Sequence, residues 1–239
     1  SMLSEVLAPG SILPDSTRSG LNTDAVLHRG MIGSLIDRPK TNVSNPPNND
    51  LAAASDYANK TIKTSRSDTK APVFVSTDSG DADIVRQLAT TLSELQNAYP
   101  VRQPEIFDFA KNWQIPHEFG STTSDGTKMR LSHDTETYDR LAIGAQRGFN
   151  VAGTPEYAAT HEYAHVIDFN TGKSMSGWVG EQIQSKQISL NQLGKEISEY
   201  AATNVWEATA EIFAASRLWP EEKKTPFIKA FEAQLDSIM

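Results

Sequence analysis

The pentapeptide HEYAH, from His161 to His165, constrains the fold of this chain more than any other sequence feature. Thr154-Pro155 precedes it as an N-cap and first helical residue, which predicts a helix running through the motif. Residues four apart lie on the same face of a helix, so His161 and His165 can direct their imidazoles to one point, with Glu162 beside them. The motif therefore predicts two metal ligands and a general base on one helix.

Any metal at this site must be held by nitrogen and oxygen ligands, because the 239-residue chain contains no cysteine. Neutral imidazole suits Zn²⁺, and a catalytic zinc usually takes three protein ligands and leaves a fourth position for water. We therefore expect one Zn²⁺ per chain, bound by His161, His165 and a third residue.

The candidates for the third ligand are Glu207, Glu211, Asp168 and His133. Asp168 follows His161 by seven residues on the same helix, or about 10 Å at 1.5 Å per residue, too far to share a metal with both histidines. We expect Asp168 to support the site or to lie on the surface. Glu207 and Glu211 lie one turn apart among mostly apolar residues, where buried carboxylates need a cation or a donor. Either acid can be the ligand, although two acids at this spacing are also typical of a solvated helix face.

Composition restricts the partners of the chain. A net charge of −8 and a pI near 5.1 argue against a nucleic-acid-binding surface, which is normally basic. The sequence has no apolar run of the length that a membrane span needs, and no basic-then-apolar signal segment at its N-terminus. We therefore expect a soluble protein with no nucleic-acid partner and no membrane span.

The predicted fold class is α+β, mostly helical after residue 150 with a small sheet before it. Residues 1–70 resemble a polar linker, and a hydrophobic patch near residues 24–36 predicts a short docked helix. The domain is expected to span residues 71–239. Its elements before residue 150 are predicted as strands at Val73–Thr77 and Gly126–Ser132, a helix at Asp81–Ala98 and a second helix opened by Pro104.

Two motifs, HEYAHVID and YAATNVWEATAEIFA, resemble the zinc-peptidase domain of anthrax lethal factor and its relatives, which include Pro-Pro endopeptidases and phage-borne domains. The resemblance covers roughly residues 71–239 and is specific in the two motifs. It implies a zincin-like fold of the gluzincin type, with Glu207 as the third zinc ligand. It also implies that Glu211 holds a ligand histidine and that Tyr200 stabilises the oxyanion. Trp206 departs from the familiar pattern, which leaves the shape of the pocket open.

The function that this resemblance implies is a zinc-dependent endopeptidase, in which Glu162 is the general base for a zinc-activated water. Its partner would be an extended peptide or protein substrate, paired with an exposed strand beside the cleft. The candidate for this edge strand is Met129, Arg130 and Leu131, although these residues could equally form an ordinary sheet strand. The relatives suggest a secreted or phage-associated protein.

Two other classes of function stay open. One is a structural or assembly module that keeps a zinc site without turnover. The other is an ADP-ribosyltransferase, which HRGM (His28–Met31) and STTS (Ser121–Ser124) weakly suggest. HRGM is more simply interpreted as linker or docked helix. His117 and His133 lie in polar stretches, and we expect them to be solvated, with His133 the better candidate for a position in the cleft.

Overall fold

The computed structural model describes residues 26–31, 50–65, 73–75, 80–102, 104–111 and 118–239, which form a mixed α+β fold that is mostly helical. The strands are β1 (Val26–Met31), β2 (Val73–Val75), β3 (Ile106–Ala110), β4 (Glu118–Thr123) and β5 (Lys128–Ser132). The helices are α1 (Leu51–Thr64), α2 (Ala82–Ala98), α3 (Thr135–Gln146), α4 (Pro155–Asn170), α5 (Ser174–Gln184), α6 (Leu190–Glu196), α7 (Val205–Leu218) and α8 (Pro226–Ile238). Two 3-10 turns cover Glu199–Ala202 and Glu221–Lys223. Within these ranges, no helix is long and apolar enough to cross a membrane.

The five strands form one sheet in the order β1-β4-β5-β3-β2. β4 is antiparallel to both β1 and β5, whereas β3 is parallel to both β5 and β2. Strands β1 and β2 are therefore the edges of the described sheet, and β5 is its centre.

Helix α4 carries the HEYAH motif through the middle of the protein. Its N-cap is Thr154, whose side chain accepts a hydrogen bond from the Tyr157 backbone N–H at 3.2 Å, and Pro155 is the first helical residue. The helix packs against α7, α2 and β4, and its residues from Tyr157 to Asp168 are all buried. The predicted helix is confirmed, and the motif lies in the protein interior.

Helix α7 begins after Asn204, whose side chain accepts hydrogen bonds from the backbone N–H groups of Trp206 and Glu207, both at 2.9 Å. This cap satisfies donors that the first turn of a helix otherwise leaves open. The side chain of Glu207 extends toward His161 instead of completing a capping box with Asn204. The cap therefore fixes the start of α7, while the Glu207 carboxylate is left for the site.

The predicted domain boundary near residue 70 is wrong, because helix α1 belongs to the core. α1 packs against α2, and the residues that it buries are Leu51, Ala54, Ala58 and Ile62. Asp50 caps the helix by accepting a hydrogen bond from the Ala53 N–H at 3.0 Å. Two of the four buried residues are alanines, and the other two lie beside polar residues, so the average composition of this stretch resembled a linker.

The helix predicted near residues 24–36 is also wrong where the structure describes it, since Val26–Met31 forms strand β1. Pairing with β4, a contact distant in sequence, determines this conformation. The rest of the hydrophobic patch, the linker-like residues 38–49 and His117 lie outside the described residues.

The helix predicted to open at Pro104 is strand β3. Phe107 and Phe109 are both fully buried and alternate with partly exposed neighbours, which is the period of a strand. The prediction relied on Ile106 and Phe109, whose three-residue spacing also fits a helix. In contrast, the helix from Ala82 and the strands at Val73 and Lys128 are confirmed, with shorter bounds for the strands.

Candidate metal centre

Three buried side chains from α4 and α7 converge at one point. The Nε2 atom of His161 lies 3.0 Å from Oε2 of Glu207, and Nε2 of His165 lies 3.7 Å from the same oxygen. One potential ligand atom from each residue lies within 4.8 Å of the other two. Ligands about 2.0–2.1 Å from a tetrahedral zinc are about 3.4 Å from one another. Two imidazole nitrogens and a carboxylate oxygen at these distances could hold a metal ion.

Glu211 orients the first of these ligands. Its Oε1 atom lies 2.8 Å from Nδ1 of His161, on the side of the ring opposite Glu207. A carboxylate that accepts a hydrogen bond from one ring nitrogen fixes the tautomer and leaves the other nitrogen to bind a metal. Glu211 therefore positions His161 and faces away from the point where the three ligands meet.

The carboxylate of Glu211 is fully buried and has four hydrogen-bond partners among the described residues. Besides His161, its Oε1 atom accepts a hydrogen bond from the Tyr157 hydroxyl at 2.5 Å. Its Oε2 atom accepts from the Ser198 hydroxyl at 2.6 Å and from the Val151 backbone N–H at 3.1 Å. These donors hold the carboxylate in one orientation, so Glu211 cannot also turn toward His165. The sequence left Glu207 and Glu211 as candidates for the third metal ligand, and Glu207 is the one that faces both histidines.

The motif glutamate is held by the sheet. The Thr122 hydroxyl on β4 lies 2.7 Å from Oε2 of Glu162, to which it donates, and the Glu162 side chain is fully buried. Gly120, two residues earlier on β4, leaves the space that Glu162 fills, because a Cβ atom at Gly120 would lie 2.7 Å from Cγ of Glu162. Strand β4 thus orients the carboxylate of Glu162, the candidate general base, and leaves room for its side chain.

Burial lowers the pKa of His161, but its hydrogen bonds to Glu207 and Glu211 outweigh that effect and raise the pKa to about 10. With no metal bound, the His161 ring is therefore a doubly protonated, positively charged imidazolium at neutral pH. A metal ion would take the place of one of its ring protons between the same groups.

Tyr200 lies against the same histidine. Its ring stacks on the His161 ring with centroids 5.7 Å apart and an interplanar angle of 26°. Burial and the carboxylates of Glu207, Glu162 and Glu211 raise the Tyr200 pKa well above its ordinary value of 10. The hydroxyl therefore stays protonated and can donate a hydrogen bond within the site.

Two predicted site residues do not contribute to the cluster. Asp168 is buried, and among the described residues its carboxylate accepts a hydrogen bond from the Ser176 backbone N–H, at 2.9 Å. It therefore supports the first turn of α5, and its burial contradicts the surface position that the sequence left open. His133 is fully buried instead of solvated. Its ring packs closely against Gly80, where an added Cβ atom would lie 2.7 Å from the ring.

The predicted substrate edge strand is wrong as well. Met129, Arg130 and Leu131 lie in β5, which is paired with β4 on one side and with β3 on the other. Arg130 also makes an ion pair with Asp108 of β3, with Nε and Oδ2 at 3.0 Å. The sequence did not indicate β4 and indicated a helix for β3, so both neighbours of β5 were missed.

Thr122, Gly120, Tyr157 and Ser198 were not identified from the sequence. Tyr157 had a usable signal, since it precedes His161 by four residues on one helix and so shares its face. Thr122 had none, because it reaches the site through the fold of the sheet. The HRGM stretch lies in β1, and the first three residues of STTS lie in the neighbouring strand β4.

No family model, no curated protein and no solved structure matches this chain. Its function must therefore be inferred from the side chains that the fold brings together.

Proposed function

We propose that this chain is a zinc-dependent endopeptidase of the zincin type, with His161, His165 and Glu207 as the zinc ligands. The observation that supports it best is that one buried cluster contains three suitable ligands and, beside them, the glutamate of the HExxH motif. The resemblance of both motifs to the lethal factor peptidase domain agrees with this proposal.

The charge of the cluster also favours a cation. Glu162, Glu207 and Glu211 are all buried, and all three lie close enough to Tyr200 to raise its pKa. Several carboxylates in one buried site are unfavourable unless a cation or hydrogen-bond donors compensate them. Glu211 has its own donors, so a divalent ion would chiefly compensate Glu207 and Glu162.

Each residue of the site has a role in peptide hydrolysis under this proposal. Zn²⁺ bound to the three ligands would polarise a peptide carbonyl and lower the pKa of a water molecule to about 7. Glu162 accepts the proton of the attacking water and delivers it to the leaving amine. Thr122 keeps the Glu162 carboxylate in place, and the Tyr200 hydroxyl donates a hydrogen bond to the oxygen that gains negative charge.

The test compares Glu162→Gln with Glu156→Gln, an exposed acid in the first turn of the same helix. We expect the parent and both variants to bind one zinc per chain in metal analysis. The parent and Glu156→Gln should cleave members of a diverse peptide library, whereas Glu162→Gln should lose at least about 100-fold in rate. Full activity of Glu162→Gln would contradict the assignment of the base.

A metal-stabilised assembly module is the second candidate. It is favoured by the burial of the ligands, at most 4% exposed, and by the pairing of β4 on both sides. Such a module would bind zinc and unfold more readily when zinc is removed, yet the parent would cleave no library peptide. The same experiment therefore separates the two candidates.

A further inference from the structure

Strand β1 lies beside the part of β4 that holds Glu162. It pairs antiparallel with β4 and also contacts α4, the helix of the HEYAH motif. The cross-strand partners next to the site are His28 with Thr122, Arg29 with Ser121, and Gly30 with Gly120. Two of these β4 residues, Gly120 and Thr122, are the ones that position Glu162.

The side of β4 that β1 occupies is where an extended peptide would bind. Peptides often bind by adding a strand to a sheet edge, with main-chain hydrogen bonds to the edge strand. β4 is paired with β5 on its other side, so a peptide can pair with β4 only on the side of β1. A strand in that position lies about 4.8 Å from β4. Its backbone would therefore pass next to the residues that hold the general base.

We propose that Val26–Met31 is an intramolecular occupant of this peptide-binding edge, and that it partly excludes other peptides from the metal centre, so that the parent cleaves them more slowly than a chain in which the strand is displaced. The effect of this strand on catalysis rests on the proposed function, whereas its occupation of the β4 edge does not. The pairing is irregular, with register shifts between Val26 and His28 and between Gly30 and Met31. Such irregularities interrupt the hydrogen-bond ladder, which suits a strand that can be replaced.

The test uses the full chain with the double substitution Arg29→Pro and Gly30→Pro. Neighbouring backbone N–H groups of a strand point to opposite sides, so one of the two prolines removes a donor directed at β4. The matched control carries Asn48→Pro and Asn49→Pro in the linker-like stretch, next to the natural Pro46-Pro47. Circular dichroism establishes that both variants are folded.

Hydrogen exchange measures occupancy without any need for catalysis. In the zinc-loaded Glu162→Gln background, we expect the amides of Gly120–Thr122 to exchange at least tenfold faster in the β1 proline variant than in the linker control. A synthetic peptide of residues 24–33, added in trans, should restore their protection, and a scrambled peptide should not. Equal exchange rates of these amides in both variants would overturn the proposal that β1 occupies this edge of β4.

Cleavage of library peptides then tests exclusion. With Glu162 intact, the β1 proline variant should cleave at least tenfold faster than the linker control, and the peptide of residues 24–33 should inhibit it. If both variants cleave at the same rate, exclusion is overturned. If neither cleaves, the proposed function fails, and the exchange result still decides whether β1 occupies the edge.

Discussion

The hydroxyl of Thr122 gives the clearest test at the scale of single residues. We expect Thr122→Val, which keeps the shape and removes the donor to Glu162, to leave zinc content unchanged and to lower kcat. A hydrogen bond to a charged group contributes about 1.5–3 kcal/mol, so the loss should be about 10- to 100-fold. Thr122→Ser keeps the hydroxyl and should retain most of the activity. Steady-state kinetics with metal analysis checks both variants, and an unchanged kcat in Thr122→Val would contradict this role.

Tyr157 acts one step further from the metal, through Glu211. We expect Tyr157→Phe to weaken zinc binding about 10- to 100-fold, the usual effect of removing a group that orients a ligand. Competition with a chromogenic chelator measures the affinity. The control is Tyr163→Phe, because Tyr163 is buried on the same helix but donates its hydrogen bond to the Tyr99 carbonyl at 3.1 Å. Equal zinc affinities of the two variants would argue against the role of Tyr157.

At the scale of elements, the N-cap of α7 links stability to the site. Asn204→Ala removes the acceptor for two backbone N–H groups, one of which belongs to Glu207. We expect it to lower the free energy of unfolding by about 1 kcal/mol and to weaken zinc binding, because Glu207 lies in the turn that loosens. Asn204→Asp keeps the acceptor and should be close to the parent. Urea unfolding with and without zinc measures both effects. An unchanged free energy of unfolding and an unchanged zinc affinity in Asn204→Ala would contradict the prediction.

Elements with local signals could be predicted from the sequence, and elements defined by pairing could not. Thr154-Pro155 and Asn204 mark helix starts through contacts within one turn, so α4 and α7 were expected where they occur. The two candidate ligands of HEYAH followed from the period of that helix. β1, β3 and the central position of β5 depend on partners far away in sequence, which residue periodicity does not reveal.

The same distinction applies to the candidate site. Glu207 was selected among acids by resemblance, and the packing of α7 on α4 is what brings it to the histidines. Thr122 and Gly120 reach Glu162 only because β4 lies against α4. These contacts depend on how layers of the protein pack, and no pattern within ten residues of either partner encodes them.

At the scale of the whole molecule, the raised pKa of His161 predicts how pH affects the metal-free protein. The folded value of about 10 lies above the ordinary 6.5. The protonated His161 therefore contributes its full stabilisation of the folded state below about pH 6.5, and this contribution is lost as the pH rises through about 10. We expect the thermal midpoint of the metal-free protein to decrease over that interval.

If zinc binds to His161 as proposed, it displaces the same proton, so its apparent affinity should increase about tenfold per pH unit between pH 6 and pH 8. Calorimetric titration in two buffers with different ionisation enthalpies measures the number of protons released. An affinity independent of pH over this range would contradict a protonated His161 in the metal-free site.

The placement of the ligands on two helices far apart in sequence also bears on folding. His165 and Glu207 are 42 positions apart, and the chain has no cysteine with which to form a disulfide. An ion held by both would bind the folded chain, in which the two helices lie together, in preference to the unfolded chain, and would so stabilise the fold. The supply of metal would then govern how much folded protein a cell accumulates, independently of how fast that protein turns over a substrate.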